Sequence, residues 1–92
     1  MMRCIYKYEI PTPGSTINHY IPRYAKFLTV RNQPEARQAS MWFLVDPNEE
    51  KIFQTFTTLA TGDTVKENMV YRGTYFLKDS TEVWHVFKVE DQ

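Results

Sequence analysis

Met41-Trp42-Phe43-Leu44-Val45 is the stretch on which the fold turns. Five successive apolar residues carry no polar alternation, so the run wants both of its faces covered. It suits the central strand of a sheet, or a strand whose second face meets another subunit. Asp46-Pro47-Asn48-Glu49 closes it with turn-forming residues, and Asp46 at a strand end is placed to bond backbone N–H groups.

On the N-terminal side, the polar stretch from Asn32 to Ser40, with Pro34 inside it, reads as a loop. Before it, Ala25 to Arg31 reads as a strand that sets Leu28 and Val30 against Phe27, Thr29 and Arg31. Thr16 to Ile21 is a shorter strand closed by Pro22. Arg3 to Ile10 is the first: Cys4, Tyr6, Tyr8 and Ile10 point one way, and Arg3, Lys7 and Glu9 the other, with Ile5 among them. That is the period of two expected of a half-buried strand. Pro11, Pro13 and Gly14 stop it, because proline donates no ladder hydrogen bond.

On the C-terminal side, Lys51 to Thr61 sets Ile52, Gln54, Phe56 and Thr58 against Phe53, Thr55, Thr57 and Leu59. Thr61-Gly62-Asp63-Thr64 breaks it. Met69 to Leu77 carries Gly73 inside a strand pattern, the mark of a bulge or of close backbone approach. Lys78-Asp79-Ser80-Thr81 turns the chain into a last strand, Glu82 to Val89. No stretch holds helical spacing over three turns. The reading predicts an all-β fold of about seven short, mostly antiparallel strands in a small sandwich or barrel, as a single domain over residues 1–92.

A chain of 92 residues builds a thin core, and domains of this size often add disulfides, a metal or a partner subunit. Cys4 is the only cysteine, which removes an internal disulfide and fits a reducing compartment. One cysteine with the distant His19 and His85 does not make a structural zinc set, so no metal and no cofactor is expected. Self-association is the remaining staple, and a homo-oligomer is predicted. The 11 Lys and Arg balance the 11 Asp and Glu, which argues against tight binding to duplex nucleic acid. Arg23, Lys26, Arg31 and Arg37 make the middle of the chain locally basic, as solubility and protection of an edge strand require. No apolar run is long enough for a helical membrane span and no signal segment is evident, so the cytoplasm is the expected location.

Catalytic constellations are not legible. Ser15, Ser40, Ser80 and Cys4 lie in no nucleophile-elbow pattern. Asp46, Asp63 and His85 would need to converge in space to hold a catalytic metal. Three glycines make no phosphate-binding loop, although Thr61-Gly62 in a turn presents backbone donors to an anion or simply turns the chain. The chain is predicted not to be an enzyme. It is instead rich in rings, with 6 Tyr, 6 Phe and 2 Trp, more than one small core easily encloses. Tyr20, Tyr24, Tyr71 and Tyr75 are candidate stacking surfaces, and Arg31, Arg37 and Arg72 candidate planar cations. Such a mix suits a nucleotide-like ligand or a protein hot spot; for any single tyrosine, core packing or a subunit contact is the plainer reading. His85, between Trp84 and Val86, is a hydrogen-bonded structural residue or a polar contact to a ligand.

Several segments in order complete a pattern: Ile5-Tyr6-Lys7-Tyr8-Glu9-Ile10, Ile21-Pro22, Phe27-Leu28-Thr29-Val30, Gln33, Trp42-Phe43-Leu44-Val45-Asp46-Pro47, Thr61-Gly62, Tyr71-Arg72-Gly73-Thr74 and Trp84-His85-Val86-Phe87. Together they resemble a family of short bacteriophage proteins designated DUF7352, to which no function is attached. The family pattern commonly has a histidine after the Thr-Gly pair. This chain has Asp63 there, an acid that would repel an anion. The resemblance implies a non-catalytic phage accessory protein acting in the host cytoplasm. One form is an anti-defence sponge that sequesters a cyclic or other nucleotide immune signal as a homo-oligomer. The alternative is a protein–protein module, inhibiting a host defence protein or serving as a minor virion or assembly component. For a ligand, the expected contacts are Arg31, Gln33, Trp42, Thr61, Gly62, Tyr71, Arg72 and His85.

Overall fold

The computed structural model describes residues 2–32, 39–77 and 81–90. Seven strands appear in chain order: β1 (Cys4–Glu9), β2 (Thr16–Pro22), β3 (Lys26–Asn32), β4 (Ala39–Val45), β5 (Lys51–Ala60), β6 (Met69–Leu77) and β7 (Glu82–Val89). They form two antiparallel sheets, β1-β4-β3 and β2-β5-β7-β6. The all-β expectation holds, and of its two forms the structure is the sandwich, not a closed barrel.

The apolar run takes the central place that its sequence demands. β4 is flanked by β1 and β3, and Ala39, Met41, Phe43 and Val45 point into the core with Ile10, Ile21, Val30, Phe56, Tyr75 and Val86. Trp42 and Leu44 lie half-buried on the outer side of the same strand. In β1, Cys4, Tyr6 and Tyr8 pack against the core, whereas Ile5 is 62% exposed among its charged neighbours. Phe43 sits at the middle of an edge-on ring cluster with Tyr8, Phe27 and Phe56.

One expected alternation fails. A bulge between Phe27 and Thr29 shifts the register of β3 on β4, so Phe27 and Val30 both turn inward and Leu28 turns out. The bulged strand is an edge of its sheet, where such irregularities concentrate. Lys26 and Arg31 are exposed on this edge, consistent with charged protection against stray pairing.

The sheets are seamed by side chains where backbone ladders are absent. At one seam the Asn32 amide donates to the Phe76 carbonyl at 2.7 Å and accepts from the Phe76 N–H at 3.1 Å, tying β3 to β6. Gly73 faces Val30 across this seam, beside a second bulge between Tyr71 and Gly73. Both alternatives read from that glycine, a bulge and a close approach, are therefore present. At the other seam His19 Nε2 donates to the Glu9 carbonyl at 2.6 Å. The segment joining β1 to β2 is anchored on Thr58, whose Oγ1 accepts from Gly14 N at 2.8 Å and donates to the Thr12 carbonyl at 3.2 Å. No helix among the described residues is long and apolar enough to cross a membrane.

Candidate functional site

Strand alternation sends Phe56, Thr58, Tyr75 and Val86 inward and their neighbours outward, onto the free face of the four-stranded sheet. β7 contributes Val83, His85, Phe87 and Val89 to that outer face, and β6 contributes Tyr71, Thr74 and Phe76. β5 contributes Phe53, Thr55, Thr57 and Leu59, and β2 contributes Thr16, Asn18 and Tyr20.

A continuous hydrogen-bonded row crosses this face. Thr74 is paired directly with His85 in the β6–β7 ladder, and its Oγ1 lies 2.9 Å from His85 Nδ1. Thr61 reaches the other ring nitrogen from the turn after β5, with Oγ1 2.9 Å from Nε2. Tyr71 extends the row, its phenol oxygen 2.5 Å from Thr74 Oγ1. A neutral imidazole donates through one nitrogen and accepts through the other, so the row is polarised in one direction or the other. If Thr74 donates to Nδ1, then Nε2 donates to Thr61 and the Thr61 hydroxyl proton is free to point outward. With the reverse polarity the Tyr71 proton is the outward donor. Either way the row offers one donor to whatever meets this face.

Exposed rings flank the row on β6, where Tyr71 meets Phe87 edge-on at 5.6 Å and Phe76 stands two residues beyond Thr74. Tyr20 stacks on Phe53 at 3.8 Å between centroids toward the other end of the face, Phe53 being six residues along β5 from Leu59, the partner of His85. Tyr20, Phe53, Tyr71 and Phe76 are 55%, 59%, 55% and 47% exposed.

Of the residues singled out from sequence, the fold brings together Thr61, Tyr71 and His85, with Gly62 beside Thr61 in the turn. It does not bring the others to them. Arg31 and Trp42 belong to the three-stranded sheet. The bulge in β6 turns Arg72 inward, where its guanidinium lies 5.2 Å over the Phe27 ring as a cation–π contact. Tyr75, considered as a surface ring, is a core residue at 2% exposure; burial pushes its phenol up to about 12, opposed by a hydrogen bond to Thr58. Tyr24 is exposed far from the row, at a depression of about 160 Å³ lined by Arg3, Arg23, Leu44, Asp46 and Glu49. Gln33, Arg37 and Ser80 lie outside the described residues. Thr74 was not singled out from sequence, although it links the row.

The acids are occupied by turns. Asp63 Oδ2 accepts from Ala60 N at 2.9 Å while Asp63 N donates to the Ala60 carbonyl, so the residue after Thr61-Gly62 closes its own turn. Asp46 Oδ1 likewise accepts from Asn48 N at 2.9 Å. Among the described residues no group of three or more His, Cys, Asp or Glu is placed to hold a metal ion.

No curated protein and no solved structure matches the chain. A family model does, over residues 1–92, the full length given. The chain belongs to the family described as a domain of unknown function, DUF7352.

Proposed function

We propose that this is a non-catalytic binding protein whose working surface is the outer face of the four-stranded sheet. The observation that carries the reading is the row Tyr71–Thr74–His85–Thr61, with the exposed rings of Tyr71 and Phe76 on the same strand. It presents a directed hydrogen-bond donor next to flat apolar area, the combination that recognises the edge and face of a planar heterocycle. The same row is poorly equipped for catalysis. A Thr–His pair resembles a nucleophile with its base, but a carboxylate ordinarily orients that histidine and offsets the charge it acquires. Here a threonine hydroxyl stands in that position.

The ligand proposed is a nucleotide-like molecule, held chiefly through its base. Arg31 and Arg72 lie elsewhere, so base contacts outweigh phosphate contacts in this reading. The phage context and the role of a sponge for a cyclic nucleotide immune signal in the host cytoplasm follow from the family resemblance and complete the proposal. A flat face with exposed rings also fits a protein hot spot, and this favours a second reading as an interaction module.

Calorimetric titration with a panel of cyclic nucleotides, linear nucleotides and the matching nucleosides tests the choice. A nucleoside should retain most of the affinity of its nucleotide, and His85→Ala should weaken both by roughly tenfold or more. Heat denaturation should release the ligand chemically intact. No binding across the panel, together with a stoichiometric protein captured from host lysate, would replace the first reading by the second.

A further inference from the structure

The outer face of the four-stranded sheet has two properties that water alone does not require. The first is its lack of charge. Along β2, β5, β6 and β7 the outward residues are Thr, Asn, Tyr, Phe, Leu, Val, Met and His, and Lys51 at one end is the only described strand residue there with a formal charge. The outer side of the three-stranded sheet differs, with Lys7, Glu9, Lys26 and Arg31 interspersed among its apolar residues.

The second property is internal satisfaction. Thr16 Oγ1 donates to Thr57 Oγ1 at 3.0 Å, which donates to the Ser15 carbonyl at 3.1 Å. Thr55 Oγ1 donates to Asn18 Oδ1 at 2.6 Å. Thr61, His85, Thr74 and Tyr71 are joined in their row. Burying a polar group costs most when it loses water and finds no partner. Here the polar side chains already hold partners within the sheet, so covering the face leaves few of them orphaned.

We infer that this face is covered by a second copy of the same chain, packed sheet to sheet across a two-fold axis. A two-fold contact places a patch against itself, so any concentration of one charge would repel its own image; an uncharged patch is the composition such a contact needs. Four strands spaced about 4.8 Å apart and seven to ten residues long present roughly 500 Å² in projection. Side-chain relief raises the accessible area toward the roughly 800 Å² per partner of a standard interface. The exposed pairs Tyr20–Phe53 and Tyr71–Phe87 lie toward opposite parts of the face and supply aromatic anchors.

The inference deepens the proposed function and, in its consequence for the ligand, rests on it. A single sheet face is one wall, whereas a small-molecule site commonly buries 70–90% of its ligand, as a rough guide. The second copy supplies the opposite wall, and the Tyr71–Thr74–His85–Thr61 row then lines a chamber between the copies.

Sedimentation of the ligand-free protein at about 0.1 mM, where even a micromolar dimer is assembled, tests the contact. The expected mass is twice the 11.0 kDa of the chain. Phe53→Lys and Tyr71→Lys introduce a charge at exposed positions that the monomer tolerates, and each should raise the dimer dissociation constant by roughly a hundredfold. Ile5→Lys, on the opposite side of the molecule, should leave the dimer unchanged. Loss of the dimer in either face variant, with its circular dichroism preserved and Ile5→Lys still dimeric, supports the inference. A monomeric wild type, a dimer that survives both face variants, or a dimer broken by Ile5→Lys overturns it. Because ligand is absent, a failure to bind nucleotides leaves this result standing, and a monomer that binds them defeats the inference alone.

Discussion

Gly73→Ala should be among the most damaging single-methyl additions available in this chain. A Cβ at position 73 would stand 2.8 Å from Val30 Cβ, 3.0 Å from Val30 Cγ2 and 3.7 Å from Val30 Cγ1. Carbon pairs in contact prefer about 3.5–4.0 Å, so the first two approaches require movement. Val30 has no rotamer that provides it, because its nearest atom is Cβ, fixed directly to the β3 backbone. The strands themselves must part by several tenths of an ångström. The Asn32 amide clamp on Phe76 resists that movement from the same seam. Overpacking of this kind costs about 1–3 kcal/mol, and the upper half of that range applies because the resistance is backbone on both sides. Urea denaturation followed by circular dichroism should show the midpoint falling by roughly 1 M, with the slope unchanged. A double-mutant cycle locates the cause. Val30→Ala removes both γ-carbons but keeps the 2.8 Å partner, so it should relieve only part of the penalty. Val30→Gly removes every clashing atom and should couple favourably with Gly73→Ala by about 1 kcal/mol or more. Gly73→Ala at the wild-type midpoint, or an equal penalty in the Val30→Gly background, would refute the reasoning.

Two further perturbations probe the buried polar node. Thr58→Val deletes the hydroxyl that serves Gly14 N, the Thr12 carbonyl and the Tyr75 phenol. It should cost about 2–3 kcal/mol, with faster amide exchange at Gly14. Thr58→Ser keeps those bonds, so equal stability of the two variants would reject the account. Tyr75 gives a pH dependence of fixed sign: burial holds its phenol at about 12, above the ordinary value of 10.0, so the folded state keeps a proton that the unfolded chain releases. The resulting stability is complete below about pH 10 and is lost as pH climbs toward 12, by roughly 2 kcal/mol in all. Urea midpoints between about pH 8 and about pH 11.5 should fall more steeply for wild type than for Tyr75→Phe, and parallel curves would count against it.

The parts of this fold that the sequence made legible are those where one residue reports its own environment. The unbroken run Met41–Val45 announced a central strand, although only its Met41, Phe43 and Val45 face is enclosed, and the alternation in β1 and β5 survived intact. A lone glycine inside a strand pattern announced the β6 bulge. The β3 bulge had no such marker: Phe27, Leu28 and Thr29 are all good strand residues, and which of them is extruded is settled by packing against β4. The two bulges also explain what was misplaced. Without the shift at Tyr71/Gly73, Arg72 would share the outer face with Thr74; with it, Arg72 reaches Phe27 instead. Thr74 was recoverable in principle. Counting outward from the turn after β6 pairs Leu77 with Glu82 and therefore Thr74 with His85, which makes that threonine the ring's nearest cross-strand neighbour.

Size, charge and ring content then converge on one consequence. A 92-residue chain cannot enclose 14 aromatic rings in its core, and the surplus is concentrated. Tyr24 is exposed elsewhere, but Tyr20, Phe53, Tyr71 and Phe76 stand on one face, whose described strand residues carry a formal charge only at Lys51. On a chain with zero formal net charge, no long-range repulsion keeps such faces apart. Whatever covers this surface is therefore selected by shape and by the single outward donor of the Tyr71–Thr74–His85–Thr61 row. Electrostatic steering plays little part in that encounter, so its rate should be nearly independent of salt, unlike that of a phosphate-gripping basic cleft.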